Sequence, residues 1–145
     1  MPADRIVVTA AVIERDDRFL VTRRLKGTHL EGVWEFPGGK CDPGESHEDC
    51  LRRELIEELG AHSVIGAEIL STSHAYPERI VELHFFTCDL VDEPRALIGQ
   101  EMRWVRRTDL HTLQFPPADS ELLHTLQRQP QSSRLRSLPH RRNEK

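Results

Sequence analysis

The sequence predicts a mixed α/β layer fold, strands with two interspersed helices. Three observations carry this. Apolar segments of strand type recur at Ile6 to Ile13, Phe19 to Thr22, Arg79 to Leu90 and Glu101 to Arg106. One well-capped amphipathic helix sits between the early and late strands. A second, shorter helix closes the domain at Ser120 to Leu126.

The first strand is β-branched and apolar throughout (IVVTAAVI), as a buried strand should be. Asp16-Asp17 supply turn chemistry, and Phe19 to Thr22 returns as the second arm of a hairpin. Lys26 to Gly32 reads as a polar loop, and Trp34 to Gly39 as a short apolar piece stopped by proline and two glycines.

Helix signals then come together. Ser46 suits the N-cap, and Asp49 three residues on completes a capping-box pattern. Glu48 and Asp49 favour the positive end of the helix dipole. Leu51, Leu55 and Leu59 form an apolar stripe, and Gly60 stands where a left-handed residue ends the helix. Val64 to His74 is strand-like but irregular. Arg79 to Leu90 alternates cleanly and should pair with it across Tyr76-Pro77-Glu78. In the last helix Leu122, Leu123 and Leu126 face inward.

Composition sets the bounds. The 145 residues are 37% hydrophobic and 30% charged, sufficient for one globular domain. We place that domain at residues 1–130, followed by a basic tail, 131–145, predicted to be mobile. The net charge of -4 argues against a protein that coats polymeric nucleic acid. No stretch approaches the roughly 20 apolar residues of a membrane span, and the N-terminus lacks the order of a secretory signal. The three cysteines, Cys41, Cys50 and Cys88, are odd in number and contain no CxxC pair. Neither a disulfide scaffold nor a zinc knuckle is expected, and the setting is read as reducing and cytoplasmic. The eight histidines are scattered, so no zinc site is assigned and His84 is read as packed or solvent-exposed.

The chemistry concentrates between Gly39 and Ala61. Glu54 and Glu58 are i,i+4 neighbours on the helix, and Glu54 and Glu57 are i,i+3 neighbours. Such crowding of like charges costs stability on its own, and a hard divalent cation offsets it. Mg²⁺ takes carboxylate oxygens and brings substrate phosphates with it. Gly38-Gly39 let a backbone carbonyl approach such an ion closely, and Arg53 can hold the carboxylates by charge-assisted hydrogen bonds. A single glutamate here would be solvated surface. Nine specified positions in 23 residues (Gly39, Glu45, Arg53, Glu54, Leu55, Glu57, Glu58, Gly60, Ala61) make a solvated face the weaker reading.

This segment resembles the Nudix box, the signature of Nudix hydrolases, at every specified position. Trp34-Glu35-Phe36-Pro37-Gly38-Gly39-Lys40 and Phe115-Pro116-Pro117-Ala118-Asp119 resemble the MutT-like branch, and the likeness runs from about Ile6 to Leu126. It implies the Nudix fold, a mixed β-sheet sandwiched between helices, and a Mg²⁺-dependent hydrolase (Mn²⁺ as a substitute) that splits a nucleoside triphosphate into monophosphate and pyrophosphate. By the same resemblance Gly38, Glu54, Glu57 and Glu58 bind the metal. Glu57 or Glu54 orients or deprotonates the water, Arg53 orients, and Glu45 holds the loop. Arg24, Phe36, Gly39, Lys40, Tyr76 and Asp119 are the substrate-binding candidates. For Arg24 a solvated strand end, for Phe36 and Tyr76 a place in the core, and for Asp119 a helix cap stand as the structural alternatives.

Two positions depart from the MutT-like pattern. Ile98 stands before Gly99-Gln100 where an acidic residue is common, with Glu101 nearby as a substitute. Asp119 stands where asparagine reads the base in MutT itself. An ionised aspartate only accepts, which favours a base edge offering donors. The Ala-Asp variant resembles the subgroup acting on cytosine nucleotides as well as 8-oxo-guanine nucleotides. The expected activity is therefore hydrolysis of 8-oxo-dGTP or (d)CTP-type nucleotides, with a pool-sanitising role bearing on DNA repair, by a monomer or homodimer. The alternatives are a Nudix hydrolase of ADP-ribose or dinucleoside polyphosphates, and a non-catalytic nucleotide-binding domain.

Overall fold

The computed structural model describes residues 4–128, and the basic segment 131–145 lies outside them. Strand β1 (Asp4–Arg15) is the axis of the molecule. Its end turns through Asp16 and Asp17, both at positive φ, into β2 (Arg18–Arg23). Two consecutive left-handed residues are what a tight hairpin with the natural strand twist requires, and aspartate tolerates them.

β1 serves two sets of partners. At its end it pairs antiparallel with β2, which carries β3 (Trp34–Glu35) and β7 (Met102–Arg106) on its edges. Along its length it pairs antiparallel with β4 (Gly38–Lys40) and parallel with β6 (Arg79–Leu90), which pairs in turn with β5 (Ser63–Tyr76). The β5–β6 pair is the one the alternation predicted. The irregularity of β5 is real: its register shifts between Ile65 and Glu68 and again before Leu70. The parallel β1–β6 ladder was not expected. Its signal lies in Thr9 to Ile13, which are buried on both faces.

Helix α1 (His47–Leu59) covers one face of the sheet and α2 (Ser120–Arg128) the other. Leu51, Leu55 and Leu59 are fully buried with Ala11, Ile13, Leu20 and Phe86. Leu122 and Leu126 close a second core with Val21, Trp34, Phe85 and Leu110. Ser46 Oγ accepts the Asp49 N–H at 3.1 Å, and Gly60 ends α1 at φ 63°. Asp49 does not complete the capping box: its carboxylate takes Arg52 at 2.6 Å. No described helix is long and apolar enough to cross a membrane.

One feature corrects the sequence reading and a second escaped it. Cys41 and Cys50 are paired as a disulfide, Cα to Cα 5.2 Å, and only Cys88 is free. The reason is packing: the first turn of α1 lies on β4, so positions nine apart in sequence face each other. The second is Arg107, buried at 6% exposure at the start of a 3₁₀ helix (Arg107–Thr112). It donates to Asp17 and Glu14 at 2.9 Å each and to the Leu126 carbonyl at 2.7 Å, with its guanidinium over the Phe19 ring. One side chain thus ties the β1–β2 turn to the end of α2. Arg107→Met leaves two acceptors and a carbonyl without it, so it should destabilise the fold by about 3 kcal/mol. Exposed Arg106→Met should change stability by under about 0.5 kcal/mol. Urea denaturation of the two variants checks the contrast.

Candidate active site

Helix α1 presents one edge to β4, and Arg53 is the hub of that edge. Its guanidinium makes a two-pronged contact with Glu45, at 2.7 and 2.9 Å. It also donates to Glu54 at 3.1 Å, to Glu57 at 3.3 Å and to the Lys40 carbonyl at 3.1 Å. Glu45 in turn accepts the Asp42 N–H at 2.9 Å, which fixes the loop into α1. The hydrogen bonds from Arg53, then that from Asp42, hold the Glu45 carboxyl down to about 2. Glu45 therefore stays ionised as the anchor of Arg53.

The Glu54 carboxylate packs against Gly39. A Cβ on Gly39 would run into the carboxyl of Glu54, and one on Gly38 into the Thr9 carbonyl and Ala10 Cα across the ladder. The close approach itself, rather than a turn, excludes side chains here. Glu58 lies between helix and sheet. Burial, then the neighbouring Glu54, with which it shares a hydrogen bond, push its carboxyl up to about 8. The charges of Glu35 and Glu57 add to the effect.

Glu35 is a fourth carboxylate that sequence reasoning did not select. Burial raises its pKa against the opposing pull of Arg24, which donates to it at 2.8 Å. The signal was present: Glu35 alternates with core residues Trp34 and Phe36, so it must face the opposite way. Arg24, Glu35 and Glu58 line a pocket of about 170 Å³ with Thr22, Ile98 and Gln100. Gln100 fastens its rim, donating to the Glu58 carbonyl at 3.0 Å and accepting from the Ile98 N–H at 3.1 Å. Ile98 thus enters the pocket, whereas Glu101 does not line it. The Glu101 carboxylate pairs with Arg23 and Arg103, each at 3.2 Å.

The other substrate candidates divide. Asp119 is 5% exposed, and burial, then the charge of Glu35, push its carboxyl up to about 7. It ends a 3₁₀ turn (Pro117–Asp119) directly before α2. Tyr76 sits within the field of both Asp119 and Arg24, and its ring meets His29 edge-on at 5.3 Å. Phe36 belongs to the core: 3% exposed, it stacks on Phe115 and meets Phe85 edge-on. Lys40 joins the site through its carbonyl, on Arg53.

The donor set fits a hard divalent cation. Glu54, Glu57 and Glu58, with the Gly38 carbonyl, supply only oxygens. Burial and the charge of Glu54 hold the Glu58 carboxyl towards its neutral form, a cost that a bound cation would relieve. The set is three carboxylates on one edge of a helix, beside a pocket walled by an arginine.

Residues 8–125 match the NUDIX domain family. The chain is 38% identical to an 8-oxo-dGTP diphosphatase of Haemophilus influenzae, over 84% of this chain and 92% of that protein. It is also 38% identical to a CTP pyrophosphohydrolase of Escherichia coli, over 81% and 88%. Its fold superposes on the solution structure of the E. coli ORF135 protein with a TM-score of 0.75 at 35% identity, covering 84% of this chain and 88% of that one. Members of this family use divalent metal ions. The match spans most of the chain and includes the whole carboxylate edge, so this protein belongs to the Nudix hydrolase family.

Proposed function

We propose that this protein hydrolyses nucleoside triphosphates to the monophosphate and pyrophosphate, with 8-oxo-dGTP and CTP-type nucleotides as substrates and Mg²⁺ (Mn²⁺ as substitute) as the cation. One observation carries this reading. The carboxylate edge opens on the Arg24 pocket, and Glu35 links that pocket electrostatically to the buried Asp119. Glu35 thus stands near both Arg24, the proposed phosphate contact, and Asp119, the proposed base reader. The activities named for the two relatives support the choice of substrates.

Glu54, Glu57, Glu58 and the Gly38 carbonyl would hold the cation, which when bound neutralises phosphate charge and acidifies water. Arg53 fixes Glu54 and Glu57 in place, and Glu57 or Glu54 orients the water and takes its proton. Water adds to one of the two phosphorus atoms that flank the oxygen between the first and second phosphates, that P–O–P link breaks, and monophosphate and pyrophosphate separate. Arg24 faces the leaving phosphates while Glu35 holds its guanidinium in line.

Glu57→Gln should lower kcat for 8-oxo-dGTP by at least about a thousandfold, the several kcal/mol that metal-assisted hydrolysis contributes. Its circular dichroism should be unchanged. Near-normal pyrophosphate release by this variant in Mg²⁺ would remove the assignment.

Glu58 yields a prediction on stability. Its folded pKa, about 8, lies above the unfolded carboxylate value. The stability linked to its proton is complete in acid and is lost as pH rises from the ordinary carboxylate range through about 8. Glu58→Gln should therefore raise the Tm of metal-free protein at pH 9 and leave it little changed at pH 4. Added Mg²⁺ should stabilise the wild type and not the variant. Equal Tm shifts at both pH values would contradict this.

Asp119 corrects the accept-only reading made from its identity. With a pKa near 7 it is neutral at lower pH and then both donates and accepts. The neutral carboxyl complements cytosine, donating to N3 and accepting from the amino group. The carboxylate suits the guanine N1–H and N2–H₂ edge. The ratio of kcat/KM for CTP to that for 8-oxo-dGTP should fall as pH rises through about 7, and Asp119→Asn should flatten it. A flat wild-type profile, or one that the variant keeps, would show that Asp119 does not read the base.

A further inference from the structure

His47 and His84 stand 37 positions apart in sequence, yet their rings meet at a centroid distance of 4.1 Å. The fold causes this. His84 lies opposite Thr9 in the β1–β6 ladder, and Thr9 touches Cys50 one turn into α1. His47, the first residue of α1, therefore hangs over β6. Glu82, two residues before His84 on the same strand face, completes the group. One ligand atom from each of His47, Glu82 and His84 lies within 4.8 Å of the others.

The surroundings of His84 are ordered. It is 8% exposed, and each ring nitrogen meets a carboxylate: Nε2 at 2.7 Å from Glu82, Nδ1 at 2.8 Å from Glu68. Metal-bound histidines characteristically give their second ring nitrogen to a carboxylate, which fixes the tautomer and strengthens the ligand. Glu68 stands in that orienting position, and the β-bulges flanking it set its carboxylate over His84. Two imidazoles and a carboxylate make a borderline donor set, suited to Zn²⁺-class ions rather than to Mg²⁺.

The geometry points to a second, transition-metal site on this protein: His47, His84 Nε2 and Glu82 as ligands for a Zn²⁺-class ion, with Glu68 orienting His84. It is separate from the catalytic edge, because His47 precedes Glu54 by seven residues, about 10 Å along the helix. A metal here pins the start of α1 to β6.

The test uses the full chain, stripped of transition metals and then held in excess Mg²⁺. Titration with Co²⁺ should give a visible absorption band saturating at one equivalent, and Zn²⁺ should displace it. His47 is half-buried at a helix start, so His47→Gln keeps the fold and should weaken Co²⁺ binding by at least about tenfold. Glu82→Gln provides a second variant with the same expectation. Glu57→Gln should bind Co²⁺ as the wild type does. Zn²⁺ should raise the Tm of the wild type and leave that of His47→Gln unchanged. The absence of a band, an unchanged affinity in both ligand variants, or a band lost in Glu57→Gln would overturn the assignment and leave His84 as an imidazolium clamp between two carboxylates.

Discussion

The active edge depends on one guanidinium. Arg53 sits on the same helix as Glu54 and Glu57 and reaches both, yet its strongest partner, Glu45, belongs to the loop ahead of the helix. A lone arginine among carboxylates would follow whichever was nearest. Two-pronged pairing with a carboxylate held well below its usual range, plus a backbone carbonyl from β4, removes that freedom. Arg53 therefore works as a fixed bracket, and the carboxylates it touches inherit its position. Glu58 is outside its reach, and it is Glu58 that burial and its neighbours drive towards the neutral form.

Local chemistry made the helix and its charged edge legible. Ser46, Gly60 and the leucine stripe each act over a few residues, and spacing alone puts Glu54, Glu57 and Glu58 on one edge. The hairpin at Asp16-Asp17 and the β5–β6 pair were legible for the same reason. What escaped is non-local. The parallel ladder joins residues about 75 positions apart, as Asp4 against Arg79, and no periodicity in either strand encodes the partner. The Cys41–Cys50 pair, the His47–His84 contact and the buried Arg107 all follow from how α1, β6 and the 3₁₀ segment dock. Glu35 was missed although its alternation with two core aromatics was visible, because a single glutamate in an apolar phrase carries no spacing partner.

Charge distribution explains how an acidic chain can hold a triphosphate. The seven acidic and two basic residues from Asp42 to Glu58 concentrate negative charge at one place. A divalent cation there inverts the local sign, and the rest of the surface need not be basic.

Burial has a common consequence at the two ends of the site. Glu58, Glu35 and Asp119 are all raised by desolvation first; Glu54 and then Glu35 act further on Glu58, Glu54 acts on Glu35 against the pull of Arg24, and Glu35 acts on Asp119. A row of carboxyls so coupled cannot ionise independently: each that loses its proton makes the next loss harder. A cation at Glu58 lowers the cost of ionising Glu35, and an ionised Glu35 raises the cost of ionising Asp119. Glu58 and Asp119 are thus linked through Glu35 by electrostatics. Removing the Glu35 charge should uncouple them, so that the protonation of Asp119 no longer responds to a cation bound at the carboxylate edge.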